Sequence, residues 1–185
     1  MIYDFSEDSK LLLDSTELVL SQDKSIKDIL EMGCGPGEVL LRLHQKFPDK
    51  NFTGADKNEE ALKIAKDNFT KNKANIKLIH SDLFSNISEK YDLIIFNPPY
   101  LPNDEEFQDI SLHGGKKGNE ISIKFLREAL DYLKSHGKII LLMSSLSHPE
   151  EIEQEIKNLK LKFSKIKQKK LFFEEISCYL IERDK

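Results

Sequence analysis

The run Tyr91-Asp92-Leu93-Ile94-Ile95-Phe96, cut off by Asn97-Pro98-Pro99-Tyr100, constrains the fold more than any other stretch of the chain. An apolar run of this length reads as a strand buried on both faces, the habit of parallel sheets. Neither proline can donate a ladder hydrogen bond, so the strand ends there and the chain turns at its carboxyl end. Open α/β sheets bind their ligands at that end. The turn offers an amide side chain, a backbone carbonyl with no competing ladder partner and an aromatic face. Those three groups suit holding a planar –NH₂ group against an electrophile. Asn-Pro alone would mark only a turn. Its weight comes from the strand before it and from a glycine loop earlier in the chain.

That loop follows a strand predicted over 26–31 and reads Glu31-Met32-Gly33-Cys34-Gly35-Pro36-Gly37-Glu38. Alternate glycines let the backbone turn sharply and approach a ligand closely. A dinucleotide fingerprint needs Gly-x-Gly-x-x-Gly, and its last glycine would fall on Glu38. The acidic-x-Gly-x-Gly-x-Gly spacing resembles instead the loop that holds S-adenosylmethionine. Glu31 is placed to attract a cationic amino group, which a phosphate site would not require. A second strand, 51–55, ends at Asp56, about twenty residues beyond the loop, where a carboxylate can accept from ribose hydroxyls. Asp56 also has the chemistry of a helix cap, a role Asn58 can fill. A third strand, 76–80, leads to Asp82 and Leu83. Asp82 can accept from an adenine amine, and Leu83 can pack on the ring or donate its backbone N–H.

Helical periodicity is predicted over 7–20, 39–47, 59–69, 120–134 and 148–159. Gly137 suits the C-cap of the fourth helix. Strands are predicted over 138–143, 160–171 and 172–182, the last two as an antiparallel hairpin at a sheet edge. The lysines of 157–170 read as protection of that edge. The whole, 1–185, reads as one domain, with an N-terminal helix or lid over 1–22 and a long irregular substrate loop over 101–118. The loop's Asp104, Glu105, Glu106 and Asp109 read as a solvated face, and its glycines permit a lid. No apolar run is long enough to span a membrane and the N-terminus lacks a signal-peptide pattern, so the expected compartment is the cytoplasm. Cys34 and Cys178 form no Cys-x-x-Cys pair, so neither a disulfide framework nor a metal site is expected. A net charge of −4 argues against duplex nucleic acid as a partner.

In this setting Asn97-Pro98-Pro99-Tyr100 resembles the catalytic motif of class I S-adenosylmethionine-dependent methyltransferases that act on planar nitrogens. Together with Tyr3-Asp4-Phe5-Ser6-Glu7-Asp8-Ser9-Lys10-Leu11-Leu12-Leu13-Asp14 and Gly114-Gly115-Lys116-Lys117-Gly118-Asn119-Glu120, it resembles the HemK2/Mtq2 family over nearly the whole chain. That family is the archaeal and eukaryotic branch of the release-factor glutamine methyltransferases. The chain is too short for the N-terminal substrate domain of the bacterial branch. Where the family has Glu-Pro-Ala, this chain has Asp4-Phe5-Ser6.

The resemblance implies a Rossmann-like, doubly wound α/β sheet of seven strands, mostly parallel with a C-terminal antiparallel hairpin. It implies S-adenosylmethionine as cofactor and S-adenosylhomocysteine as product, contacted by Ser9, Glu31, Gly33, Gly35, Asp56, Asp82, Leu83 and Asn97. It places the substrate amide against Asn97, Pro98, Pro99 and Tyr100. Asn97 and the Pro98 carbonyl would grip the amide, and Tyr100 would wall it. It implies a class I translation release factor as substrate. It also implies a small zinc-binding activator, Trm112-like, over an apolar edge near 76–79. The competing expectations are methylation of a nucleic-acid base such as adenine at N6, methylation of a protein lysine, and a non-catalytic S-adenosylmethionine-binding subunit.

Overall fold

A computed structural model describes residues 6–100 and 117–184. Seven strands form one sheet in the order β3-β2-β1-β4-β5-β7-β6. They are β1 (Asp28–Met32), β2 (Asn51–Asp56), β3 (Lys77–His80), β4 (Tyr91–Phe96), β5 (Leu133–Ser144), β6 (Leu161–Lys170) and β7 (Glu175–Arg183). The pairs among β1 to β5 are parallel, and β7 runs antiparallel to both β5 and β6. The helices are α1 (Glu7–Gln22), α2 (Glu38–Lys46), α3 (Glu59–Lys71), α4 (Glu120–Ala129) and α5 (Pro149–Asn158). None of the described helices is long and apolar enough to cross a membrane.

Successive strand residues point to opposite faces, and here both faces are dry. Ile29, Leu93, Ile140 and Cys178 pack under α1, α2 and α3 with Leu12, Leu40 and Phe69. Their neighbours Leu30, Ile94, Ile139 and Tyr179 pack under α4 and α5 with Phe125, Leu126 and Ile152. This is why the central strands read as nearly unbroken apolar runs. Each fully buried Leu, Ile or Phe contributes about 1.5–3 kcal/mol. The exception inside β4, Asp92, is spent on the backbone: its Oδ2 accepts from the N–H groups of Lys27 and Asp28 at 2.9 and 2.8 Å. Lys134 lies 2.9 Å from the same oxygen.

After β1 the chain builds β2 and β3 on one side, then crosses to place β4 on the other. Such a reversal of winding leaves a crevice at the strands' carboxyl ends. Met32 stands beside Phe96 in register, so the loop leaving β1 and the turn leaving β4 emerge side by side.

Three sequence expectations need correcting. The fourth helix stops at Ala129 and not near 134; a single 3-10 turn, Leu130–Tyr132, follows, and Leu133 already belongs to β5. Gly137 is therefore inside a strand and not a helix cap. The structural demand for glycine is steric: a Cβ there would lie 2.9 Å from the Tyr91 carbonyl oxygen and 2.9 Å from Leu133 Cδ2. Gly137→Ala should accordingly lower stability by about 1–3 kcal/mol, read as a drop in denaturation midpoint with an unchanged slope. Last, Phe172 and Phe173 do not open β7. They sit in the turn between β6 and β7, which Leu171 closes by donating its N–H to the Glu174 carbonyl at 2.8 Å.

Among the described residues both outer strands, β3 and β6, have a neighbour on one side only. On β6 three of the lysines are engaged by carboxylates: Lys162 by Asp184 at 2.6 Å, Lys165 by Glu175 at 3.4 Å, and Lys169 by Glu7 of α1. On β3 the edge is barer: Leu78 and Ile79 are half-buried and no further strand covers them among the described residues.

Candidate active site

Glu31, next to last in β1, lies deep in the protein, 4% exposed. Its Oε2 has no hydrogen-bond partner among the described residues. Burial pushes its carboxyl well above the usual range, the negative charge of Asp56 pushes it further, and the Leu40 backbone N–H opposes both. A buried carboxylate oxygen without a donor is costly, and rare in folded proteins. The next residues explain what it faces. Gly33, Gly35 and Gly37 all have positive φ, at 63°, 51° and 77°. A Cβ on Gly37 would drive to 2.4 Å from Phe69 Cζ, so that glycine lets α2 dock on α3. A Cβ on Gly35 would meet nothing within 4 Å, which leaves open space over the middle of the loop.

Asp56 ends β2 and ties this loop to the next. Its Oδ2 accepts from the Gly35 N–H at 2.8 Å and its Oδ1 from the Asn58 N–H at 2.8 Å. Capping α3 falls to Asn58, whose side chain accepts from the N–H groups of Glu60 and Ala61. Cys34 is buried between them, its thiol raised by burial and by the charges of Glu31 and Asp56, so it is not a nucleophile.

Beyond β3, Asp82 is exposed and Leu83 is buried with a φ of 47°. Left-handed backbone costs a side chain-bearing residue roughly 1–2 kcal/mol. Ser81 holds it there, its Oγ donating to the Leu83 carbonyl at 2.7 Å and accepting from the Asn86 N–H at 3.0 Å. The Leu83 side chain packs into the layer under α4 and α5.

At the end of β4, Asn97 is half-buried and Pro98 buried. Asn97 Nδ2 donates to Asp8 Oδ2 at 2.9 Å. A carboxylate only accepts, so this contact decides the amide's orientation: nitrogen toward α1, oxygen away. That oxygen, Oδ1, is buried and has no partner among the described residues. Asp8 itself is steadied by the Ser9 N–H on its other oxygen at 2.8 Å. Tyr100 packs on the layer under α1, and its phenol is pushed up by burial, then by the charges of Asp8 and Glu174. It stays protonated at neutral pH.

The predicted site residues Glu31, Gly33, Gly35, Asp56, Asp82, Leu83, Asn97, Pro98, Pro99 and Tyr100 thus all leave the carboxyl ends of β1 to β4. Ser9 arrives from α1, where its hydroxyl accepts from Ser6 Oγ at 2.9 Å. Sequence reasoning passed over Asp8, because an acid in a helix's first turn already has an ordinary explanation in the helix dipole. Its one sequence signal was its place beside Ser9 in the N-terminal motif. The loop 101–118 and its acidic cluster lie outside the described residues, apart from 117–118.

The site's groups fit a sulfonium cofactor with an ammonium and a ribose. A buried acid has one oxygen without a donor among the described residues, the glycine loop leaves open space over Gly35, and a second acid stands at the next strand end. With its sheet order, glycine loop and proline-broken turn, the molecule is a class I S-adenosylmethionine-dependent methyltransferase. Within that class the chain belongs to the methyltransferase small domain family, which it matches over residues 5–172. It is 39% identical over 180 residues to a putative protein N5-glutamine methyltransferase of Methanocaldococcus jannaschii, covering 95% of this chain and 88% of the relative. It is 30% identical over 163 residues to the human methyltransferase HEMK2, covering 82% and 75%. The release factor glutamine methyltransferase of Streptococcus pneumoniae is 35% identical over 136 residues, 68% of this chain but 49% of that protein. The chain spans about half the length of that bacterial enzyme. Among solved structures, the E. cuniculi Mtq2-Trm112 complex superposes with a TM-score of 0.77 at 22% identity, covering 98% of each chain, a likeness of fold.

Proposed function

We propose that this protein methylates the side-chain amide nitrogen of a glutamine, that of the Gly-Gly-Gln loop of a class I translation release factor. The observation that carries the reading is the Asn97 amide. Its oxygen is buried and has no partner among the described residues, while its nitrogen is pinned to Asp8. Such an oxygen waits for a donor, and a primary amide brings two N–H groups. The relatives' names point the same way. The M. jannaschii and S. pneumoniae proteins are called glutamine methyltransferases, and the E. cuniculi complex is described as methylating the termination factor eRF1.

S-adenosylmethionine, when bound, supplies an electrophilic methyl group on sulfur. Glu31, the Gly33 and Gly35 backbone, Asp56, Asp82, Leu83 and Ser9 would hold it, with Glu31 as counter-charge to its ammonium. The chain's remaining task is to make a poor nucleophile act. An amide nitrogen delocalises its lone pair into the carbonyl. Asn97 Oδ1 and the Pro98 carbonyl accept its two N–H groups, turn its lone pair toward the electrophile and stabilise the positive charge that develops. Asp8, behind the Asn97 amide, adds negative charge on the same side. Pro99 stiffens the turn and Tyr100 walls it. Holding the partners at near-attack distance contributes several kcal/mol, on the order of known effective-molarity gains. No base is required in advance, since the product nitrogen loses its proton to water, and Tyr100 is held protonated by burial. A binding-only subunit would have no use for a pinned acceptor at this position. A net charge of −4 disfavours a nucleic acid as the substrate.

The bare edge of β3 suits a second subunit of the Trm112 kind, which would shelter Leu78 and Ile79. The test is transfer of labelled methyl to a purified release factor, alongside DNA, RNA and histone, with and without such a subunit. Label should appear on the release factor and vanish when its Gly-Gly-Gln glutamine is changed to alanine. Label that persists on that variant, or prefers a nucleic acid, rejects the reading.

A further inference from the structure

Five large apolar side chains are exposed on the described surface, and three of them gather on one rim: Leu146 at 40%, Phe172 at 90% and Phe173 at 84%. The two phenylalanines form an edge-to-face pair, ring centroids 4.5 Å apart at 87°. They sit on a braced turn. Besides the Leu171–Glu174 bond that closes it, Ser145 donates its N–H to the Glu175 carbonyl at 2.9 Å, and Glu175 returns its N–H to Ser145 Oγ at 2.9 Å. Glu174 accepts from Ser144 Oγ. The loop carrying Leu146 and the turn carrying the pair are thus stitched together.

This rim belongs to the active-site end of the sheet. Phe96 is level with Leu141 of β5, and Leu142 stands opposite Cys178 of β7, so Asn97 comes level with Cys178. The hairpin continues beyond that level, and at ~3.3 Å per residue the turn overhangs the site by about 15 Å. Glu174, the next residue, contributes its charge to the field at Tyr100. Lys169, just before the turn, pairs with Glu7, whose neighbour Asp8 pins Asn97. The aromatic turn is therefore built onto the frame that orients the catalytic amide, and is continuous with the proposed substrate surface.

We infer that Phe172, Phe173 and Leu146 form the docking ledge for the polypeptide substrate, receiving an apolar side chain of the extended segment that flanks the target glutamine. The inference rests on the function proposed above. Rigid, exposed aromatics inside a polar rim are what anchor such contacts, and the rim here carries Lys165, Glu174 and Glu175. The turn also lies two strands across from Asn97, about 10 Å, so the span is about 18 Å; about five to six residues of extended chain bridge it, and one strand can occupy the ledge and present an amide to Asn97. This solvent-facing, edge-to-face pair belongs to neither layer of the core among the described residues.

The test is steady-state methylation of the whole release factor by the doubly substituted Phe172→Ser, Phe173→Ser protein. The KM for the release factor should rise on the order of 10-fold or more. kcat, cofactor Kd and thermal midpoint should stay close to wild type, and Phe172→Leu, Phe173→Leu should restore most of the affinity. An unchanged KM with an active wild type overturns the ledge and leaves the proposed function standing. Loss of a wild-type dimer in the serine variant, seen by sedimentation, would reassign the patch to a second copy. A wild type that methylates no release factor, with or without the second subunit, removes the function and the ledge together, before any variant is compared.

Discussion

Asn97→Ala should lower kcat by about 10²–10³, the usual cost of removing one preorganised acceptor or donor at a reacting centre. Cofactor affinity, measured by calorimetry, should change only a few-fold. On the proposed reading the Asn97 oxygen meets its partner only when an amide arrives: it is buried and has no partner among the described residues. Its removal erases an interaction made with the reacting nitrogen and little else. Asp8 extends the argument. Without its carboxylate, 2.9 Å from Asn97 Nδ2, nothing described distinguishes the two orientations of the amide, and the nitrogen end would repel the substrate's own N–H groups. Asp8→Ala should therefore cost on the order of 10-fold in kcat with little change in cofactor affinity. Asp8→Asn should fall between, because an amide can accept as well as donate. In the double variant the Asp8 change should add almost nothing to that of Asn97→Ala, since residues acting through one another are not additive. Full additivity would show that Asp8 works elsewhere, for example only by fastening α1. Near-normal turnover by Asn97→Ala would remove the basis of the proposed chemistry.

Much of this arrangement is legible in the amino-acid sequence. Pro98 and Pro99 cannot extend a ladder, so the end of β4 was fixed by covalent chemistry. Alternate glycines at 33, 35 and 37 mark the sharp exit from β1 because positive φ is cheap for glycine. The double-faced burial of β1, β4 and β5 writes itself into adjacent apolar residues such as Ile29-Leu30 and Ile139-Ile140. What was not readable depended on long-range contacts. Gly137 follows a helix-like apolar pattern, and only the nearby Tyr91 carbonyl shows why a side chain is excluded. Phe172 and Phe173 have strand-forming chemistry, and only the Leu171–Glu174 turn puts them outside the ladder. Asp8 is separated from Asn97 by 89 positions, and an acid opening a helix gives no sign of its partner. The residues of the site on the four strand ends share a register that the fold imposes, whereas the contribution of α1 is set by tertiary packing alone.

Glu31→Gln should separate binding from stability in opposite directions. In the free protein the Glu31 carboxyl is held well above its ordinary value, by burial first and then by Asp56. Between the ordinary glutamate value near 4.3 and that raised value, the folded protein retains a proton that the unfolded chain has lost. Its contribution to stability is therefore full at low pH and is lost as pH rises toward the raised value. Glutamine carries no such penalty, so the free variant should melt higher than wild type, increasingly so as pH rises. Cofactor binding should move the other way. An ammonium beside Oε2 favours the carboxylate, so binding expels the proton. Wild-type affinity should then climb with pH across the window between the lowered value of the bound state and the raised value of the free one, and level off above it. Calorimetry in buffers of different ionisation enthalpy should register that released proton. Removing one member of a buried charge pair costs about 3 kcal/mol, roughly a hundredfold in Kd, and Glu31→Gln should also flatten the pH dependence. A variant that binds S-adenosylmethionine as tightly as wild type, with the same proton release, would mean that the unpartnered oxygen faces something other than the cofactor's ammonium. The glycine loop would then hold the ligand by its backbone alone.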